Sequence, residues 1–286
     1  MIPSLAECSI RRKGNHGKVL IVGGSAEYSG APLFAGLSSL RTGADLCWIA
    51  CSPDAALAIK SQSPDLIVVP YIPAEREGVS KAMDKIRPIL ERVNSVVIGP
   101  GLGRSDGAFF FAASILEYTK CAHPQIPVVV DGDALFLLSQ QIQLIQGHRA
   151  SLLTPNAIEW DRISGLGGGW EDSVTLRKGS QDIIGEGVAH VGGLGSPRRC
   201  GGQGDILAGA AGTFLAWARQ AGPDASSELS REAIEAAAVG ASLLTRQAAA
   251  DAFADMRRGM LAQDILRYLP QAFEKHFPSS PSPVEH

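Results

Sequence analysis

The sequence predicts an α/β protein: a mostly parallel sheet with helices on both faces and a short hairpin extension. Two observations carry this. Short apolar runs alternate with longer stretches of helical apolar spacing from Lys18 to Thr154, the alternation that builds a parallel sheet covered by helices. The 286 residues are 45% hydrophobic, and neither an internal repeat nor a linker interrupts them, so one large core suffices.

Taken in order, residues 18–22 read as a strand ended by Gly23-Gly24-Ser25. Residues 31–41 set Leu33, Leu37 and Leu40 on one helical face. Residues 45–50 form a strand, 54–60 a short helix and 66–69 a strand. Residues 79–93 are helical, and Pro88 is expected to kink or restart that helix. Strands at 95–98, 127–130 and 151–154 alternate with helices at 107–118 and 133–140. From Val174 the runs shorten and glycines separate them, so 174–179, 182–184 and 188–191 read as hairpin strands extending the sheet. Helices follow at 205–219, 231–249 and 263–269. Residues 1–277 read as a single domain, and 278–286, rich in Pro and Ser, as a disordered tail.

Composition narrows the function. Net charge is -3, and no basic run reaches five residues, so nucleic acid is not an expected partner. No apolar run reads as a membrane span, and residues 1–18 carry no signal or transit pattern. The expectation is a soluble cytoplasmic enzyme; a mitochondrial pool and a homo-oligomer are compatible with the same features. The five cysteines are scattered and odd in number, against a disulfide framework. Cys47 and Cys51 lie in or beside a buried strand with no His nearby, which favours core over zinc.

Chemistry concentrates in loops. In parallel sheets ligands bind beyond the C-terminal strand ends. There the sequence sets Gly23-Gly24-Ser25, Gly99-Pro-Gly-Leu-Gly103, Asp131-Gly-Asp133 and Thr154-Pro-Asn156. The densest signal is Gly195-Ser-Pro-Arg-Arg-Cys-Gly-Gly-Gln-Gly-Asp205 leading into an apolar helix. Small residues let backbone N–H groups converge on an anion at a helix N-terminus. A carboxylate there suits a base beside a phosphate, and so phosphoryl transfer from a nucleotide. The bland alternatives are a surface turn for the glycines, a helix N-cap for Asp205 and a small packed residue for Cys200.

Six segments occur in register: Gly14-Asn-His-Gly-Lys-Val-Leu-Ile-Val-Gly-Gly-Ser25, Val97-Ile-Gly-Pro-Gly-Leu-Gly-Arg104, Val129-Val-Asp-Gly-Asp-Ala-Leu135, Leu153-Thr-Pro-Asn156 with Glu159, Lys178-Gly-Ser-Gln-Asp182, and Arg198-Arg-Cys-Gly-Gly-Gln-Gly-Asp205. Together, over about residues 13–268, they resemble the ATP-dependent NAD(P)H-hydrate dehydratase family, eukaryotic branch, of the ribokinase-like fold. That resemblance implies a three-layer αβα sandwich. It implies a lyase that uses ATP, with Mg²⁺, to dehydrate NADH or NADPH hydrated at C6 of the nicotinamide. It makes Asp205 the base toward that hydroxyl and a substrate contact. It assigns ATP to Lys178, Gly179, Ser180, Gln181 and Asp182, and to Gly195, Ser196, Pro197, Arg198, Arg199, Cys200, Gly201, Gly202, Gln203 and Gly204. It assigns the hydrated dinucleotide to Gly101 and Gly103, and to Asn156, Ala157, Ile158, Glu159, Trp160, Asp161 and Arg162. No direct metal ligand is implied; Mg²⁺ would be organised through water near Asn156 and Glu159.

Two departures stand out. The family's Asp-Ala-Asp-Gly is Asp131-Gly-Asp-Ala134 here, which keeps both carboxylates and changes the turn. The stretch after Glu159, Arg162-Ile-Ser-Gly-Leu-Gly-Gly-Gly-Trp170, is short where a further helical segment is expected. A deletion there would bare a sheet face and weaken the site at Asn156 and Lys178. Two other functions share the motifs: a small-alcohol kinase, whose product is a stable phosphoester, and a nucleotide-binding protein without turnover.

Overall fold

A computed structural model describes residues 14, 16–222 and 227–278. The tail expected at 278–286 lies outside them, except for Pro278. Nine strands form one sheet: β1 (Lys18–Val22), β2 (Leu46–Ala50), β3 (Ile67–Val69), β4 (Ser95–Ile98), β5 (Val128–Val130), β6 (Ser151–Leu153), β7 (Val174–Arg177), β8 (Asp182–Ile184) and β9 (Ala189–Val191). Their order is β3-β2-β1-β4-β5-β6-β7-β8-β9. Pairing is parallel up to β7, and β7, β8 and β9 then meander antiparallel.

Burial on both sides follows from strands that are apolar at nearly every position. In β1, Val19 and Ile21 join one core while Leu20 and Val22 join the other. The first core takes helices α1 (Gly30–Thr42), α2 (Pro53–Gln62), α7 (Gln203–Gln220), α8 (Arg231–Met256) and α9 (Ala262–His276). The second takes α3 (Val79–Leu90), α4 (Asp106–Cys121), α5 (Asp133–Gln140) and α6 (Ala157–Ser164). This is the three-layer αβα sandwich expected. Among the described residues no helix is long and apolar enough to cross a membrane.

Three helices differ from expectation. α3 passes through Pro88 and ends at Leu90. α8 runs on past Ala249, burying Ala252. α9 passes through Pro270, because that residue is exposed while Ile265, Leu269 and Ala272 continue the buried stripe.

The short crossover after β6 does its work. α6, eight residues long, buries Ile163, and β6 and β7 pair in parallel. Asn156 starts α6 with a capping box: its side chain accepts from the Glu159 N–H, and the Glu159 carboxylate accepts from the Asn156 N–H. The expected weakening at Asn156 is therefore not seen. The short connection does leave a cavity of about 320 Å³ beside β7, lined by Trp160, Trp170, Thr175 and Arg177 among others.

Candidate active site

The site gathers where strands end. Asp131 follows β5, Thr154 follows β6 and Lys178 follows β7, all in phase with residues on the α7 side of the sheet: Val129, Leu152 and Leu176. The buried Asp131 carboxylate accepts from Lys178 Nζ at 2.7 Å and from Thr154 Oγ1 at 2.8 Å. The glycine loop delivers α7 to the same place, so that a Cβ on Gly204 would stand 3.3 Å from Lys178 Nζ and 3.8 Å from Asp131 Oδ2.

Gly202 caps α7 at φ 98°. A Cβ there would meet the Ala262 Cβ at 2.6 Å, so both conformation and space require glycine. Asp205 is thus not the N-cap: it sits in the first turn of α7. Burial pushes its carboxyl up to about 7, helped by the neighbouring Asp131 charge and opposed by Lys178. Burial pushes the Lys178 amine down, but Asp131, Glu159 and Asp205 outweigh it and hold the amine above its usual range. Asp205 is therefore a carboxylate that takes up and releases a proton near neutrality, beside a permanent cation.

Strand β4 is followed by Gly99, whose φ of 122° brings its backbone onto the Asp131 carbonyl; a Cβ would lie 1.7 Å from that oxygen. The loop beyond carries Gly101 and Gly103 into a cleft of about 590 Å³. Glu27, Tyr28, Gly132, Asp133, Phe136, Glu159 and Arg162 line it as well. In the altered turn Asp133 accepts from the Gly103 N–H at 3.0 Å and from Arg104 Nε at 3.1 Å. Of the segment 156–162, Glu159 and Arg162 face the cleft, Trp160 faces the cavity beside β7, and Asn156, Ala157, Ile158 and Asp161 are exposed. Burial raises the Glu159 carboxyl.

The two nucleotide segments are stitched together by α8. Asp182 Oδ1 accepts from the Gly179 N–H at 3.0 Å, its Oδ2 accepts from Ser242 Oγ at 2.7 Å, and Arg246 pairs with it at 3.1 Å. Arg246 also donates to the Leu194 carbonyl at 3.0 Å and to the Ser180 carbonyl. In the second segment, Ser196 Oγ accepts from the Arg198 N–H, Arg198 donates to the Met260 carbonyl, and Gln203 donates to the Arg198 carbonyl. Gln203 also reaches Cys200 Sγ at 3.4 Å. Gln181, Pro197, Arg199 and Gly201 are exposed, while Gly195, Ser196, Cys200 and Gly204 are partly covered. Sequence reasoning put Thr154 on the functional edge without giving it a role, and it missed Ser242 and Arg246. The last two could have been suspected from an i, i+4 polar pair inside an alanine-rich helix.

A glycine loop, a partly buried carboxylate in the first turn of the helix it opens and a cleft at the strand ends sit together on a ribokinase-like α/β fold. The profile of the NAD(P)H-hydrate dehydratase family matches residues 19–271, and the chain belongs to that family. It is 37% identical to the ATP-dependent (S)-NAD(P)H-hydrate dehydratase of Entamoeba histolytica, covering 97% of this chain and 92% of that one. It is 40% identical to the enzyme of the same name from Ixodes scapularis, covering 94% and 91%. A ribokinase-like superfamily protein from Enterococcus faecalis shares the fold, with a TM-score of 0.72 at 24% identity over 94% of this chain and 91% of that one. So does the ADP/ATP-dependent NAD(P)H-hydrate dehydratase of Bacillus subtilis co-crystallised with ATP and Mg²⁺, with a TM-score of 0.66 at 21% identity over 93% and 91%.

Proposed function

We propose that this protein uses ATP to dehydrate NADH or NADPH hydrated at C6 of the nicotinamide ring, releasing ADP, phosphate and the reduced dinucleotide. The observation that carries the reading is Asp205 itself. It stands in the first turn of a helix opened by a glycine loop, beside a cationic Lys178, and its carboxyl is raised to about 7. A base with that affinity takes a hydroxyl proton as the phosphoryl group arrives and gives it up afterwards.

The backbone N–H groups of Gly201, Gly202, Gln203 and Gly204 face the transferring phosphoryl group, at the positive end of α7. Lys178 neutralises charge that develops there. The ring enters by the cleft at Gly101 and Gly103, with Arg104 and Arg162 at its wall. Once C6 carries phosphate, the ring nitrogen lone pair expels it.

Among the described residues no three His, Cys, Asp or Glu side chains gather as a metal site. Asn156 Oδ1 and one Glu159 oxygen are engaged in the capping box, which leaves the other Glu159 oxygen to accept from water on an Mg²⁺ carried by the triphosphate of ATP. A cytoplasmic setting remains part of this proposal.

The test adds ATP to the protein with hydrated NADH and follows the return of reduced-nicotinamide absorbance with release of inorganic phosphate. A stable phosphoester in place of phosphate would make the protein a small-alcohol kinase. ATP binding without ADP formation would make it a nucleotide-binding protein.

A further inference from the structure

The dehydration removes two protons from the substrate, and Asp205 accounts for one. Phosphorylation moves the C6 hydroxyl proton to Asp205 and forms the C6–O–P linkage. The C6–O bond then breaks, phosphate leaves with the electron pair, and the ring nitrogen lone pair forms a nitrogen–C6 double bond. Restoring the dihydronicotinamide requires loss of a proton from C5. That C–H electron pair becomes the C5–C6 double bond, and the nitrogen recovers its lone pair. Asp205 already holds a proton at this stage, so the second goes to another acceptor, either the departing phosphate or a side chain that faces the ring.

Four other carboxylates lie near the strand ends. Asp131 holds Lys178 and Thr154 through Oδ1, is buried and does not line the cleft at Gly101 and Gly103. Both oxygens of Asp133 are taken, by the Gly103 N–H and by Arg104. Glu27 is exposed at the cleft rim. Glu159 differs from all three. It is half-buried on the cleft wall, with Gly103 and Gly132 on the same wall. Its Oε2 accepts from the Asn156 N–H at 2.8 Å, and its Oε1 has no hydrogen-bond or ion-pair partner among the described residues. The capping box fixes the side chain through one oxygen and leaves the other unengaged on a residue that lines the cleft.

We propose that Glu159 is the second base, taking the C5 proton as phosphate leaves, while Asp205 serves only the phosphorylation. This rests on the dehydratase reading above. Burial of Glu159, which raises its carboxyl, fits a group that must accept a proton.

The test is Glu159→Gln, followed by rapid quench. Glutamine at this helix position keeps the hydrogen bond to the Asn156 N–H, so the start of α6 is preserved. ADP formation in the first turnover is expected within about threefold of wild type, while reduced nicotinamide appears about 10²–10³-fold more slowly, the loss typical of a missing general base. ADP and inorganic phosphate are released ahead of reduced nicotinamide as water returns to C6 of the stalled iminium and regenerates the hydrate, and deuterium at C5 slows the second phase alone. Equal loss of ADP and reduced nicotinamide would overturn the proposal in favour of a metal-organising or binding role. Wild-type rates of both would overturn it outright. Should the variant fail to fold, Glu159→Asp, which retreats by one methylene, carries the same comparison with a smaller split. If wild-type protein forms no ADP with hydrated NADH, the substrate reading fails instead.

Discussion

Replacing Asp205 by asparagine should abolish turnover and stabilise the protein above neutral pH. In the folded chain the Asp205 carboxyl moves from its ordinary 3.8 to about 7, chiefly through burial and then through the charge of Asp131. A raised carboxyl means that the folded state resists ionisation. The associated stability is complete below pH 3.8 and is lost as pH rises toward 7. At about 1.4 kcal/mol per pH unit, that amounts to at most about 4 kcal/mol. Coupling to Asp131 and Lys178 lowers it, and about 2–3 kcal/mol is expected. The assay is urea unfolding of wild type and Asp205→Asn at about pH 5, inside the window that the linkage defines, and at about pH 8, above it. The variant gains on wild type between these two conditions, still binds ATP by calorimetry, and loses about 10²–10⁴-fold in turnover. A stability difference that does not change with pH, or retained turnover, would refute the reasoning.

Lys178→Met removes the cation that holds the Asp205 carboxyl down, so the acidic limb of kcat/KM for the hydrate should move above pH 7 while kcat falls. Asp131→Asn removes a charge that raises Asp205 and frees Lys178 toward it. The same limb should then move below 7, with kcat falling as the base weakens. Gly202→Ala sets a Cβ at φ 98° and 2.6 Å from Ala262. It should destabilise by about 1–3 kcal/mol in urea unfolding and raise the KM for ATP more than that for the hydrate.

Much of this fold could be read directly from the sequence, because β1, β4, β5 and β6 are buried on both faces and are apolar beyond the first residues Lys18, Ser95 and Ser151. Helix ends were harder. An internal proline costs about 3 kcal/mol, and local reasoning stops α9 at Leu269. The buried Ala272 and the packing of Phe273 beyond Pro270 outweigh that cost, and this packing is visible only once α9 lies on α8. The site divides the same way. The glycine loop and its carboxylate announce themselves in sequence. Lys178 was seen as part of a turn, yet it shares a face with Val174 and Leu176, the face that α7 covers. That alternation aims its amine at the start of α7. The Arg246–Asp182 pair joins residues 64 positions apart, and nothing local marks it.

The arrangement of charge explains why three groups are needed where one base would appear sufficient. A buried lysine left beside Asp205 alone would pair with it, pull its carboxyl down and leave a poor base. Asp131 prevents this by holding Lys178 at 2.7 Å, with Thr154 fixing the orientation of the Asp131 carboxylate. The ammonium then remains a cation close enough to steady a phosphoryl group, and Asp205 keeps a proton affinity near neutrality. Burial of three charges is costly by itself. The glycine loop lowers that cost by placing the cluster at the opening of α7, where backbone N–H groups point outward and the helix field is positive. The features that suit an incoming triphosphate are thus the same ones that let the site stay charged.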